Sequence, residues 1–180
     1  AYWSVFAGSC GHTYGHCSIM QFYKNGFNPA YSALDSIKPW YEALKSPGFQ
    51  QMKHLKTLML AFPYFERVGD QSVLLENGEK YDRICATRGK DYMLLYNYTR
   101  RKISVDLTKI SGDKKKVLVY DPVDGKVQQV KGMERVDGKR WDIPAQLLSY
   151  DYVIIIMDAS KHYEQALGFK QQEEKQNLEE

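Results

Sequence analysis

The sequence predicts two unlike parts, a helix-and-loop segment over the first third and an all-β antiparallel sandwich over most of the remainder. Three observations carry this. Between Ser46 and Phe62 the apolar residues Phe49, Met52, Leu55, Leu58, Met59 and Phe62 recur at spacings of three and four, the pattern of one helix face. Beyond Arg67 the pattern changes to short β segments divided by Asn77-Gly78, Arg88-Gly89, Ser111-Gly112, Asp124-Gly125 and Asp137-Gly138, all turn formers. In Gly11-His12-Thr13-Tyr14-Gly15-His16, bare and polar positions alternate, so an extended backbone would set His12, Tyr14 and His16 on one side.

In chain order, Tyr2, Trp3, Val5 and Phe6 are apolar almost from the first residue, and Gly8 stands where a helix ends in a left-handed cap. Residues 1–7 therefore read as the last turns of a helix whose beginning is missing, the sign of a fragment or a processed product. Gly11–Gly15 reads as a strand with a bare face packed closely by another backbone, or as a Gly-rich surface loop. Cys10 and Cys17 bracket the histidines as Cys-x-His-x3-His-Cys, a set that would suit Zn²⁺. On an extended backbone Cys10 falls on the side of His12 and only one flexible Gly separates the second pair, so buried thiols and no metal is the expectation. Three cysteines, with Cys85, cannot make a complete disulfide framework.

From Lys24 to Lys45 the turn signals Asn25-Gly26, Asn28-Pro29 and Lys38-Pro39 leave a long connection anchored by Phe27, Tyr31, Trp40 and Tyr41. Connections of that length are usually functional loops. The helix over 46–62 follows, with Ser46 as N-cap, Pro47 in the first turn and Pro63 as its stop. Expected strands are 72–75, 83–87, 92–98, 103–106, 117–121, 127–130, 139–143 and 152–157, the last a continuous apolar run and therefore central. Short strands at intervals of about ten residues argue for a sandwich. After Asp158 the chain turns charged and Gln/Glu-rich, which reads as a frayed helix or disordered tail.

Composition bounds the function. The chain has 180 residues, 43% of them hydrophobic and 13% aromatic, and a net charge of +3 from 25 basic and 22 acidic side chains. That is enough for one domain, or a small domain and part of another. No run reaches the roughly 18 apolar residues of a membrane span. The basic cluster Lys114-Lys115-Lys116 follows Gly112-Asp113, which reads as a solvated loop. Without aromatic interleaving it gives no expectation of nucleic-acid binding.

Residues 1–16 (AYWSVFAGSCGHTYGH), 40–44 (WYEAL), 47–56 (PGFQQMKHLK), 65–68 (FERV), 70–72 (DQS) and 120–125 (YDPVDG) together resemble the apiosidase-like glycoside hydrolases. These are exported bacterial enzymes with a (β/α)8 barrel followed by a β-sandwich that carries the label putative collagen-binding domain. The resemblance spans nearly all of residues 1–158. It implies an α/β barrel fragment, the last helix–strand–helix of a TIM barrel, followed by the all-β antiparallel sandwich. Residues 1–7 would end the seventh barrel helix, Gly11–Gly15 would be the eighth strand and 46–62 the eighth helix. The implied division is 1–66 barrel, 67–158 sandwich and 159–180 charged tail.

Barrel active sites form at the C-terminal ends of the strands, so the resemblance implies Tyr14 and His16 at the catalytic rim. With His12, Gln21 and Trp40 they make the expected substrate-binding set. The family has Trp where this chain has Met20, a departure that bears on any sugar stacking there. Glycoside hydrolysis normally takes two carboxylates about 5–5.5 or 6.5–9.5 Å apart, but residues 1–62 contain only Asp35 and Glu42. The family's acid/base and nucleophile lie on upstream strands, so no catalytic residue and no cofactor is expected in this chain.

The expected partners are an oligosaccharide or polysaccharide substrate and the missing N-terminal barrel segment. The expected location is outside the cell, in the periplasm or at the surface. Two other readings stand beside the enzyme fragment: a non-catalytic sandwich binding polysaccharide or collagen, and a sandwich that only braces the barrel. On the enzyme reading, Trp3, Phe6, Phe49, Met52, Leu55, Leu58, Met59 and Phe62 would be left exposed without the missing barrel, while the sandwich would fold alone.

Overall fold

The computed structural model describes residues 1–27, 37–129 and 138–169. Tyr31, Asp35, Val130 and the segment 171–180 lie outside the described residues. Helix α1 (Tyr2–Phe6) ends as its glycine requires: the Ser9 and Gly8 amides donate to the Ser4 and Val5 carbonyls, each at 3.1 Å, and Gly8 has φ +116°. Residues 11–16 carry no ladder with any described segment. Among the described residues no segment lies alongside to pair with it, so the expected strand is present here only as unpaired chain. Two short helices follow, α2 (Cys17–Met20) and α3 (Trp40–Ala43), then α4 (Pro47–Leu60) with Pro47 in its first turn.

Among the described residues eight strands make up the β part: β1 (Val68–Gly69), β2 (Cys85–Arg88), β3 (Tyr92–Asn97), β4 (Ile103–Asp106), β5 (Lys115–Tyr120), β6 (Val127–Gln128), β7 (Arg140–Ile143) and β8 (Tyr152–Asp158). A six-stranded sheet runs β1-β2-β3-β8-β5-β6, and β4 pairs with β7 in a second sheet. Every pairing is antiparallel. As its apolar run predicts, β8 is central, with Leu94 and Leu118 opposite Ile155 on either side. Segment 72–75, expected as a strand, is instead a 3₁₀ turn (Gln71–Val73) followed by a single bridge from Leu74 to Val105. Asp70 nucleates that turn by accepting hydrogen bonds from the Ser72 amide at 2.9 Å and hydroxyl at 2.6 Å. The Gln71 amide then pairs with Ala86 as a strand would, donating to its carbonyl and accepting from its N–H.

The larger sheet is buried on both faces. Ala86, Met93, Leu95, Val117, Val119, Ile154 and Ile156 pack against Ile103, Val105 and Ile143 of the small sheet. On the opposite face Leu94, Leu118, Tyr120, Val153, Ile155 and Met157 pack against Val5, Phe6, Leu55, Leu58, Met59 and Phe62 of the helical segment. This corrects the expectation that the helical residues lack cover: Phe6 and Leu58 are fully buried, while Trp3 and Phe49 remain 36% and 38% exposed. Without α1 and α4 that second face of the large sheet would be bare. At about 1.5–3 kcal/mol for each large side chain buried, this shared core rivals a domain's whole net stability of about 5–15 kcal/mol.

Polar staples fix the junction. The Arg67 guanidinium donates to the Val5 carbonyl at 2.6 Å, the Ser9 carbonyl at 3.1 Å and the Thr87 hydroxyl at 3.2 Å, placing a cation at the end of α1 where the helix dipole favours one. Tyr120 and Tyr92 donate to the carbonyls of His54 (2.8 Å) and Pro63 (3.0 Å). The lysine cluster is likewise not a solvated loop. Lys115 and Lys116 sit buried in β5, where Lys115 donates to the carbonyls of Ile110 and Ser111 and Lys116 pairs with the buried carboxylate of Glu164. Glu164 belongs to a 3₁₀ turn (Tyr163–Leu167) from which Tyr163, Leu167 and Phe169 pack on the helix-side core. Residues 159–169 are thus ordered, a correction to the expected frayed tail; Lys116 and Tyr92 recruit them.

Candidate active-site rim

The site is assembled from the segment between α1 and α4. His16 is extended (φ −133°, ψ 124°) and caps α2, its Nδ1 accepting from the Ser18 amide at 3.2 Å. That hydrogen bond fixes Nδ1 as the acceptor nitrogen and leaves Nε2 to carry the proton of a neutral ring. Tyr14 lies 6.5 Å from His16 between ring centres and packs edge-on to Phe49 at 6.0 Å. Phe49 opens α4 beside Gly48, and a side chain at Gly48 would meet the Tyr14 hydroxyl at 2.9 Å. The turn that starts α4 therefore sets where the phenol can stand.

Trp40 opens α3 and is hung from the preceding segment, its amide donating to the Tyr23 carbonyl at 2.8 Å. Phe22 and Tyr41 meet its ring edge-on at 6.0 and 5.9 Å. Gln21 is half-buried, and its amide donates to the Cys17 sulfur at 3.1 Å. His12 is exposed. Of the expected substrate-binding set, Tyr14 and His16 thus stand together, Trp40 stands in a second aromatic group across α2, Gln21 faces back into α2, and His12 faces solvent.

Phe22 and Phe49, absent from the expected set, are the rings against which its members lean. Phe49 was hidden by its fit to the α4 period and Phe22 by its place in a turn, where its backbone is left-handed (φ 48°). Met20, at the position where the resemblance expects Trp, is 77% exposed. Exposed Phe22 and Phe49 beside the half-buried Tyr14 and Trp40, which carry hydrogen-bonding edges, suit a sugar with its apolar C–H faces and hydroxyl rims.

Among the described residues no group of three or more His, Cys, Asp or Glu side chains is placed to hold a metal ion. Cys10 is exposed, with its carbonyl accepting from the Tyr64 hydroxyl, and Cys85 lies in β2, where burial pushes its thiol pKa up. Glu42 is exposed on α3, and Asp35 falls outside the described residues, so no carboxylate pair is described at this rim.

Residues 1–66 match the model of the apiosidase-like catalytic domain, and residues 68–157 match the domain described as "Putative collagen-binding domain of a collagenase". Among solved structures, the chain is similar to a glycoside hydrolase with 52% identity and a TM-score of 0.82, over 91% of this chain and 36% of that one. It is also similar to a glycoside hydrolase family 5 protein from Bacteroides vulgatus with 49% identity and a TM-score of 0.82, over 91% and 35%. The chain thus spans about a third of the length of these structures. No curated protein matches it. With one stretch matching the catalytic domain and the other its companion sandwich, at about half identity to solved glycoside hydrolases, the chain belongs to the apiosidase-like glycoside hydrolase family.

Proposed function

We propose that this chain is the C-terminal portion of an exported glycoside hydrolase acting on plant-type or other complex polysaccharide. Its residues 1–66 complete a (β/α)8 barrel and supply part of the active-site rim, and residues 67–158 form a bracing sandwich. The acid/base and nucleophile come from the rest of that barrel, which is this chain's principal partner. His12, Tyr14, His16, Gln21 and Trp40 position substrate rather than cleave the bond. The observation that carries this reading is the convergence of Tyr14 and His16 at the head of α4, with Trp40 and Phe22 forming a second ring pair.

The test is made in the complete enzyme. Alanine at Tyr14, His16 or His12 should lower kcat/KM by about tenfold to a thousandfold, the loss expected when orientation and hydrogen bonding are removed but not the reacting groups. Wild-type kinetics in all three variants would remove the rim from the substrate's path.

A further inference from the structure

A second set of rings stands at one end of the large sheet. Asn97 pairs with Tyr152 and Tyr120 pairs with Val153, so the loops after β3, after β5 and before β8 emerge side by side. Trp3 of α1 meets Tyr98 edge-on at 5.3 Å, and these rings are 36% and 45% exposed; Tyr150, in the loop before β8, is 41% exposed. Beneath them Tyr2 stacks on Tyr96 at 5.1 Å.

Polar groups are held among these rings. The Tyr96 hydroxyl donates to Asp151 at 2.7 Å, and Arg100 donates to the Ser149 carbonyl at 2.7 Å. The Tyr150 hydroxyl donates to Asp121, and the Tyr2 hydroxyl is buried with no partner among the described residues. Two residues here, Arg100 and Gln146, are held left-handed at φ 58°, joined by the Gln146 amide donating to the Arg100 carbonyl at 2.8 Å. Left-handed backbone in non-glycine residues persists only where the surroundings fix it, often at binding surfaces.

We propose that this end of the sandwich is a second saccharide-binding surface. Trp3, Tyr98 and Tyr150 stack on the C–H faces of sugar rings, while Asp151 and Arg100 hydrogen-bond to the hydroxyls. Loop ends of sandwiches are where such scaffolds present binding groups. The occupant that fits is a sugar, because half-exposed rings interleaved with a carboxylate and a guanidinium offer partners for both its C–H faces and its hydroxyl rim. The proposal rests on the glycoside-hydrolase reading for its class of ligand alone.

Electrophoresis of the 180-residue chain through native gels containing pectin, arabinoxylan or xyloglucan tests it. At least one polysaccharide should retard the chain. Trp3→Ala with Tyr98→Ala, and separately Tyr150→Ala and Asp151→Asn, should weaken that retardation at least tenfold while thermal melting shows each variant folded. Tyr81→Ala, a 76% exposed ring elsewhere on the sandwich, should behave as wild type. Made in a Tyr14→Ala, Trp40→Ala background that removes the rim's own contribution, the substitutions at Trp3 with Tyr98, at Tyr150 and at Asp151 should still weaken the retardation, which separates this surface from the rim. The proposal is overturned by a chain that no polysaccharide retards, by retardation lost only with Tyr14 and Trp40, or by binding to collagen films alone.

Discussion

Gly69 lies where β1 passes the end of α1, and a Cβ there would meet the Ala7 carbonyl oxygen at 2.7 Å. Gly69→Ala must therefore move backbone rather than a side chain. Overpacking of this kind costs about 1–3 kcal/mol, and the melting temperature should fall by several degrees; an unchanged Tm would mean that β1 and α1 separate without penalty. Beside it, hydrogen bonds from Ser72 and then Arg88 hold the Asp70 carboxyl down to about 2. Asp142 is held down to about 2 by Ser104 and then Lys102. A carboxylate depressed by folding stabilises the protein above its unfolded value of about 4 and loses that contribution as pH falls through its folded value. Stability should therefore drop between about pH 4 and pH 2, and Asp70→Asn with Asp142→Asn should flatten the drop. An equal slope in the double variant would assign acid unfolding to other groups.

Among the elements, α4 carries the most: it positions Tyr14 at its start and covers the sheet along its length. Leu58→Ala should cost about 2–5 kcal/mol in urea unfolding, as buried leucine truncations do. The 159–169 segment depends on a different contact. Glu164→Ala would strand the Lys116 ammonium in the core and should cost about 3–5 kcal/mol, with Lys116→Met in the same chain restoring much of it. A neutral Glu164→Ala would show that the ion pair does not clasp the segment. The two helices facing the sheet were legible in sequence because their signals are local: Gly8 for the end of α1, Pro47 and the three-and-four spacing for α4. The burial of Lys116 was not, since its partner lies 48 residues away and a run of three lysines looks like solvent-facing charge. Segment 72–75 misled for a similar reason, as its apolar residues suggested a strand while Asp70 and Ser72 set a capped turn.

At the scale of the whole molecule, seven of the eight strands and the central place of β8 followed from the apolar runs and the glycine turns; two-residue β1 is too short to leave a periodic signal. What the sequence did not reveal is how the two parts share a core. Alternation along β3, β5 and β8 shows that both faces are apolar, yet nothing local says that one of those faces receives α1 and α4. The rim was legible only in part: Tyr14, His16 and Trp40 stood out as polar or aromatic residues outside helical periodicity, while Phe49 was absorbed into it. The proposed rim depends on that shared core, because α4 can hold Tyr14 in place only if the sheet holds α4. Differential scanning calorimetry of the full chain beside residues 68–180 alone tests this most directly. The shared core predicts one cooperative transition for the full chain and a shorter piece that melts far lower or without cooperativity. Residues 68–180 melting at the full chain's temperature, with α4 unfolding separately, would contradict it.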